Sequence, residues 1–255
     1  MPAHFGGYDA PGPDAAVYNR DVTSLSYSYT TDKDQLSNYL PEGFEMIRPE
    51  VQVLFNQLRE IDWMAGGYYN LISIGVPARF RGKHDHAEGL YTLVIWENNT
   101  TPILGGREET GMPKIYADIQ DLHISPPHYS TNASYDGNTF LELNMAGEKP
   151  MEAKKLAEMK AQFTNINALG WRYIPKIEGP GADLSQFTLY PQGYDIASII
   201  QGSGTIRWTP LRWEQNPMQW HIIRALAELP IITMGPAYFI KGCVVLKPSQ
   251  GRVLK

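Results

Sequence analysis

One cysteine, Cys243, is all that 255 residues hold, so no internal disulfide can form and a reducing compartment is expected. It lies in an apolar run and reads as an inert core thiol. Charge is also sparse. Only 19% of residues are charged, the formal net charge is −5, and Lys and Arg never gather into a run. Nucleic acid and anionic membrane are thereby excluded as main partners, which leaves small molecules. No apolar run approaches the roughly 20 residues that cross a bilayer. The start, Met1-Pro-Ala-His-Phe-Gly-Gly, has no basic region followed by an apolar one, so a cytoplasmic location without membrane contact is expected. Gly202-Ser-Gly204 lacks the lysine and Ser/Thr of a phosphate loop, and no Gly-x-Ser-x-Gly elbow exists. His84-Asp-His86, His123 and His128 have no ligand spacing, and the first pair sits in a polar loop. No metal site is expected.

What is present describes an ordinary globular chain with an aromatic bias, 43% hydrophobic and 11% aromatic. Residues 1–16, rich in Gly, Pro and Ala, read as a flexible arm. The rest, 17–255, contains no linker. Leu25, Tyr27 and Tyr29 alternate with Ser26 and Ser28 as a half-buried strand does. Asp32-x-x-Gln35 is a capping box for a short helix that must end by Pro41. Short strands are predicted over Val51 to Leu58, Tyr68 to Val76, Leu90 to Glu97 and Ile115 to Ile124, with a hairpin turn at Tyr135-Asp-Gly-Asn138. One helix is predicted from Pro150, carrying Leu156, Met159 and Phe163 on one face. Another follows Asn216-Pro-Met-Gln219 with Trp220, Ile223 and Ala227, and stops before Pro230. Strands dominate without βαβ alternation, so the fold class is α+β.

The richest segment chemically is Gly105-Gly-Arg-Glu-Glu-Thr-Gly-Met-Pro-Lys114-Ile-Tyr, where a lysine follows a Gly/Pro turn and opens an apolar strand. A free lysine has a pKa near ~10.4. An apolar wall disfavours the ammonium, and a neutral amine attacks ketones to give Schiff bases, electron sinks for carbanion chemistry. Standing alone, a lysine beside a proline is more often a solvated turn residue.

Gly-Arg-Glu-x-x-Gly-x-Pro-Lys114 resembles the Schiff-base lysine segment of the acetoacetate decarboxylase superfamily. The likeness runs from Tyr18-Asn-Arg20-Asp to Val245-Leu-Lys-Pro248. It takes in Thr30-Thr-Asp-Lys-Asp-Gln-Leu with Leu40-Pro-Glu, Trp171-Arg-Tyr-Ile-Pro-Lys-Ile-Glu-Gly and Gly204-Thr-Ile-Arg. The resemblance implies a single domain over 17–255, with a curved antiparallel sheet closing into a barrel or cone-like cavity flanked by a few helices. It implies a covalent imine on Lys114 with no separate cofactor and no metal, and a homo-oligomer, a tetramer or larger.

Departures from the family pattern shift the expected reaction. Ile115 stands where decarboxylases have a second lysine; Asn56 and Leu71 stand where two active-site glutamates are expected. The pocket is therefore expected to be less charged, with desolvation as the main force on Lys114. Arg20 matches the family's active-site arginine and, with Arg107, is a candidate clamp for a retained carboxylate. Members without the second lysine resemble pyruvate aldolase-dehydratases, which condense pyruvate with an aldehyde or hydrate an unsaturated 2-oxo acid. Candidates for proton transfer are Tyr238 first, then Tyr68 and Tyr69, with Glu108 or Glu109 behind. Two alternatives stay open: a decarboxylase of acetoacetate-type β-keto acids, and a ligand-binding member without catalysis.

Overall fold

The alternation that marks Leu25, Tyr27 and Tyr29 belongs to the second half of the first strand, β1 (Val17–Thr30), whose middle, Val22 to Leu25, is buried on both faces. The computed structural model describes residues 17–255; the expected arm, 1–16, lies outside the described residues. After β1 come α1 (Lys33–Ser37), the short β2 (Phe44–Met46) and three long strands, β3 (Glu50–Ile61), β4 (Gly67–Arg81) and β5 (His86–Glu97). Next are α2 (Thr100–Gly105), a single π turn over Gly106–Thr110, and β6 (Lys114–Tyr116), β7 (Asp118–Ile119) and β8 (His123–Ser125). The chain continues through β9 (His128–Tyr135), β10 (Asn138–Pro150), α3 (Ala153–Phe163), β11 (Ile166–Pro175) and β12 (Ala182–Trp208). It finishes with α4 (Trp220–Glu228), β13 (Thr233–Met234), β14 (Ala237–Leu246) and β15 (Arg252–Val253).

Local chemistry accounts for several boundaries. The Asp32 carboxylate accepts from the Gln35 backbone N–H at 2.8 Å and so caps α1. Asp136 and Gly137 take φ of +47° and +76°, the left-handed pair that a tight hairpin between β9 and β10 needs. Several boundaries differ from expectation: β4 runs on to Arg81 and β5 begins at His86, and two further differences have local causes. The single strand predicted over Ile115 to Ile124 is three pieces, because Lys114–Tyr116 pairs with β5 while Asp118–Ile119 pairs with β9. Pro150 ends β10 rather than starting a helix: it lies opposite Ile200, and the Met151 N–H still donates to the Ile199 carbonyl at 2.9 Å. The helix begins at Ala153.

The sheet corrects the expected architecture. A purely antiparallel sheet closing into a barrel or cone does not form. Instead fifteen strands join in one mixed sheet whose path runs β11-β5-β4-β3-β1-β14-β12-β10-β9-β7, with a further pairing between β11 and β12. The β5–β6 and β5–β11 pairings are parallel. The physical reason lies in β12, 27 residues long, which pairs with β11 along its first part, β14 along its middle and β10 along its last. Serving these neighbours in turn, β12 branches the sheet and carries it on to β10, β9 and β7, so a simple antiparallel barrel is not what forms. The α+β class itself stands.

Two apolar clusters occupy opposite faces of the central strands, as the period of two requires. Leu25, Tyr27, Val53, Phe55, Ile72 and Trp96 belong to the larger, against which Ile223 and Leu226 of α4 pack. Val22, Leu58, Tyr69, Tyr194 and Ile240 belong to the second, covered by Leu156, Met159 and Phe163 of α3. The shared face expected for those three α3 residues is thus the face that docks.

Candidate active site

Lys114 is the first residue of β6, in register with Ile95 of β5. Its approach is built by helix rather than by the expected open Gly/Pro turn. The Asn99 side chain caps α2 by accepting from the Thr101 N–H at 2.9 Å. The chain then loosens into the π turn and stops at Gly111, whose φ of +75° suits glycine. From outside, the Trp171 N–H donates to the Gly111 carbonyl at 3.0 Å, and the Thr188 hydroxyl donates to the Thr110 carbonyl at 2.6 Å. On the far side of β6, Gln219 ties the strands together: its side-chain oxygen accepts from Trp96 Nε1 at 2.7 Å and its nitrogen donates to the Tyr116 carbonyl at 2.7 Å.

The Lys114 side chain is 14% exposed and turns inward. Its Nζ stands 2.8 Å from Glu97 Oε1 and donates to the Pro102 carbonyl at 3.1 Å. Glu97 is fully buried, and neither of its oxygens accepts a well-angled hydrogen bond from the described residues. Burial pushes its carboxyl above the ordinary range, against the opposing pull of Lys114. Gly106 lies directly over the amine: a Cβ there would come within 2.3 Å of Lys114 Cδ and 2.8 Å of Nζ. The turn can close over the lysine only because that residue is glycine.

Glu97 adds a carboxyl partner to a lysine for which desolvation was expected to be the main force. It lies directly opposite Leu71 on the neighbouring strand, and Leu71 in turn lies opposite Asn56. The carboxylate absent at Leu71 therefore has a counterpart one strand away. In the sequence its only signal is an acid closing the apolar run Leu93-Val-Ile-Trp96. Tyr69 is buried near it, its phenol pushed well above the usual value by burial first, then by Glu97 and Tyr190. Tyr190, unmarked in the sequence, is pushed up to about 12 by burial and then by Glu109.

The other candidates fall in distinct places. Arg107 donates from Nη1 to the Lys114 carbonyl at 3.0 Å, with Glu108 beside it in the π turn. Tyr238, Leu71 and Tyr69 all pack in the second cluster, on the face to which Asn56 also points. Burial raises the Tyr238 phenol. Ile115 goes to the opposite face and packs with the larger cluster, since successive strand residues alternate. Arg20 forks onto Asp62 at 2.7 and 2.8 Å in an exposed pair, and its guanidinium also covers the Tyr18 ring. Tyr68 is exposed, with the Arg59 guanidinium over its ring. Two surface grooves, one including His128 and Asn144, the other Phe80 and Trp171, are lined by neither Lys114 nor Glu97. Among the described residues no cluster of His, Cys, Asp and Glu is placed to hold a metal ion, and no helix is long and apolar enough to cross a membrane.

A half-buried lysine capped by a glycine turn and paired to a buried acid invites comparison with known proteins. The family model for acetoacetate decarboxylase matches residues 1–250. The chain belongs to the acetoacetate decarboxylase family. Among its relatives, the acetoacetate decarboxylase of Burkholderia multivorans is 28% identical over 213 residues, covering 83% of this chain and 78% of that protein. That of Burkholderia ambifaria is 25% identical over 220 residues, covering 86% and 81%. Solved structures share the fold. The acetoacetate decarboxylase of Legionella pneumophila superposes with a TM-score of 0.75 at 22% identity, covering all of this chain and 92% of that one. An acetoacetate decarboxylase-like enzyme from Sphingomonas wittichii gives 0.73 at 14% identity, covering 98% and 99%. The enduracididine biosynthesis enzyme MppR complexed with pyruvate gives 0.69 at 14% identity, covering 96% and 92%.

Proposed function

We propose that this member of the family is a lyase that forms a Schiff base between Lys114 and short 2-oxo acids, joining pyruvate to an aldehyde with loss of water or running the hydration of the unsaturated product. One observation carries the reading: the Lys114 amine meets a fully buried carboxyl at 2.8 Å beneath a glycine turn. An acid that is costly to ionise is a good proton acceptor for an ammonium beside it. With the proton on Glu97, the neutral amine attacks C2 of pyruvate. Glu97 returns the proton to the carbinolamine hydroxyl, water leaves and the imine forms. The resulting carboxylate takes a methyl proton, giving an enamine that attacks the aldehyde carbon. Tyr69, held in its protonated form, donates to the new alkoxide. The Tyr69 phenolate then takes a proton from C3 while the Glu97 carboxyl protonates the departing hydroxyl, so water leaves with both groups restored, and hydrolysis of the imine frees the lysine and the unsaturated 2-oxo acid.

Arg107, anchored on the Lys114 carbonyl, has further N–H groups for the substrate carboxylate. Arg20 would first have to leave Asp62. Tyr238 shares the face and remains a candidate proton carrier farther along the sheet. Retention of the carboxylate fits Ile115, which adds no second cation beside Lys114.

The test is intact-protein mass after incubation with pyruvate and borohydride, which reduces an imine irreversibly. A reduced pyruvyl adduct is expected on the native chain and not on Lys114→Ala; no adduct with pyruvate would sink the reading. The relatives named acetoacetate decarboxylase favour a second reading. Lys114-dependent release of carbon dioxide from acetoacetate, without aldol product, would replace the first with it.

A further inference from the structure

Three polar side chains lie on the face that carries Lys114 and Glu97, and the imine chemistry leaves them unused. Ser24 Oγ stands 2.6 Å from Asn56 Oδ1 and 2.6 Å from the Tyr194 hydroxyl. All three residues are buried; Ser24 is fully so, and Asn56 retains 6% exposure and Tyr194 7%. A serine has a single proton to give. If it went to Tyr194, the tyrosine's own proton would be buried with no acceptor among the described residues, which is costly. The chain of bonds therefore runs one way: Tyr194 donates to Ser24, and Ser24 donates to the Asn56 oxygen. Burial holds the Tyr194 phenol in its protonated form, which keeps it a donor.

That direction fixes which way the Asn56 amide faces. Its oxygen is taken, so its NH2 group is the free end. The nitrogen meets no acceptor among the described residues, and it is not among the polar atoms sealed from solvent. It is a pre-set pair of donors waiting for an acceptor.

The strand register supplies a ruler. Asn56 lies opposite Leu71, and Leu71 opposite Glu97. Neighbouring strands are spaced at about 4.8 Å, so the backbones of Asn56 and Glu97 stand roughly 9.6 Å apart with one apolar side chain between them. We infer that Asn56, oriented by Ser24 and Tyr194, is a second recognition point that binds a neutral hydrogen-bond acceptor at the far end of the substrate, beyond an apolar stretch lying on Leu71. The acceptor is neutral because no cation faces Asn56 among its bonded neighbours, and a buried carboxylate without a counter-charge is costly. The inference rests on the Schiff-base reading of Lys114 and adds its substrate class: 2-oxo acids with an apolar middle and a distal carbonyl, ether or hydroxyl oxygen.

An isosteric pair of probes separates this from simple hydrophobic binding. 5-Methoxy-2-oxopentanoate and 2-oxoheptanoate differ only in an oxygen replacing a methylene. Each is titrated against the native chain with borohydride, and adduct mass is read against concentration. The native chain should reach half-trapping with the ether at about a five- to tenfold lower concentration, the value of one well-placed hydrogen bond. Asn56→Leu should abolish or invert that ratio, and Tyr194→Phe should shrink it by freeing the amide to flip. The ratio within one variant is insensitive to partial unfolding, and circular dichroism verifies the fold of each. Adducts with pyruvate but equal trapping of the two probes by the native chain would overturn this inference alone. So would a ratio that survives Asn56→Leu. No adduct with pyruvate would remove the Schiff-base reading and this inference with it.

Discussion

An ammonium beside an ionised carboxylate is stabilised, whereas beside a neutral carboxyl it is not, so the protonation of Glu97 governs the chemistry open to Lys114. Breaking such a buried pair costs about 3–5 kcal/mol, while replacing both members can be neutral. Glu97→Gln and Lys114→Met should each lower the melting temperature at neutral pH, and the double variant should be more stable than either. The pH dependence has a definite sign. Burial raises the Glu97 carboxyl above its ordinary value of 4.5. In Lys114→Met the folded chain keeps a proton that the unfolded chain releases, so stability falls as pH climbs from about 4.5 through the folded value. Melting curves across pH should show this slope for Lys114→Met and not for the double variant; a flat profile in both would remove the claim that Glu97 is hard to ionise. Catalytically, Glu97→Gln should lose about 10²–10⁴ in turnover, as removal of a general acid–base does. At this scale the sequence marked Lys114 as a candidate through its Gly/Pro surroundings. Glu97 stayed hidden because an acid ending an apolar strand looks the same whether its neighbour across the sheet is water or an amine.

The elements around Lys114 act together through close approach. The segment from Gly105 to Thr110 reads as a turn because two glycines and three charged residues carry no apolar period. Its helical form comes from the Asn99 cap before it and from the bonds of Trp171 and Thr188 after it, contacts with strands some sixty or more residues away. Gly106→Ala tests what that helix does. The added methyl would fall 2.3 Å from Lys114 Cδ and 2.4 Å from Cε, so the lysine must swing off Glu97. A small misplacement of a reacting group costs on the order of 10²-fold. Borohydride trapping of pyruvate should slow by about that factor, and the melting temperature should fall toward that of Lys114→Met, since the displaced lysine leaves Glu97 buried without its partner. Unchanged trapping would show that the turn does not hold the amine in place.

Across the whole molecule, β1 is the strand on which both halves of the sheet depend. It pairs with β3 on one side and with β14 on the other, joining residues near 20 to residues near 240. Truncation after Pro236 removes β14 and opens the edges of both β1 and β12, rows of unpaired backbone groups that invite aggregation. That truncated chain should be insoluble or lack a cooperative melt, whereas removal of only residues 252–255, which takes away β15, should leave a cooperative transition. A soluble, cooperatively folding product of the longer truncation would refute the central role of β14. The expectation of a closed antiparallel barrel failed at this same scale. Nothing in the alternation of β12 says that its successive parts pair with β11, β15, β14 and β10, and the parallel seat of β6 against β5 depends on the helical approach before it.

Sequence alone determined what depends on neighbours along the chain. The α+β class, the Asp32 cap, the Asp136-Gly137 turn, the docking face of α3 and the candidacy of Lys114 all follow from periods and propensities acting over a few residues. Tertiary structure alone decided what depends on register between strands. It brought Glu97 to Lys114, sent Ile115 to the opposite face, committed Arg20 to Asp62 and turned the Asn56 amide through Ser24 and Tyr194. The reason is physical: a strand's side-chain period says which residues share a face, but only the hydrogen-bonded ladder between distant segments says which of them stand opposite one another.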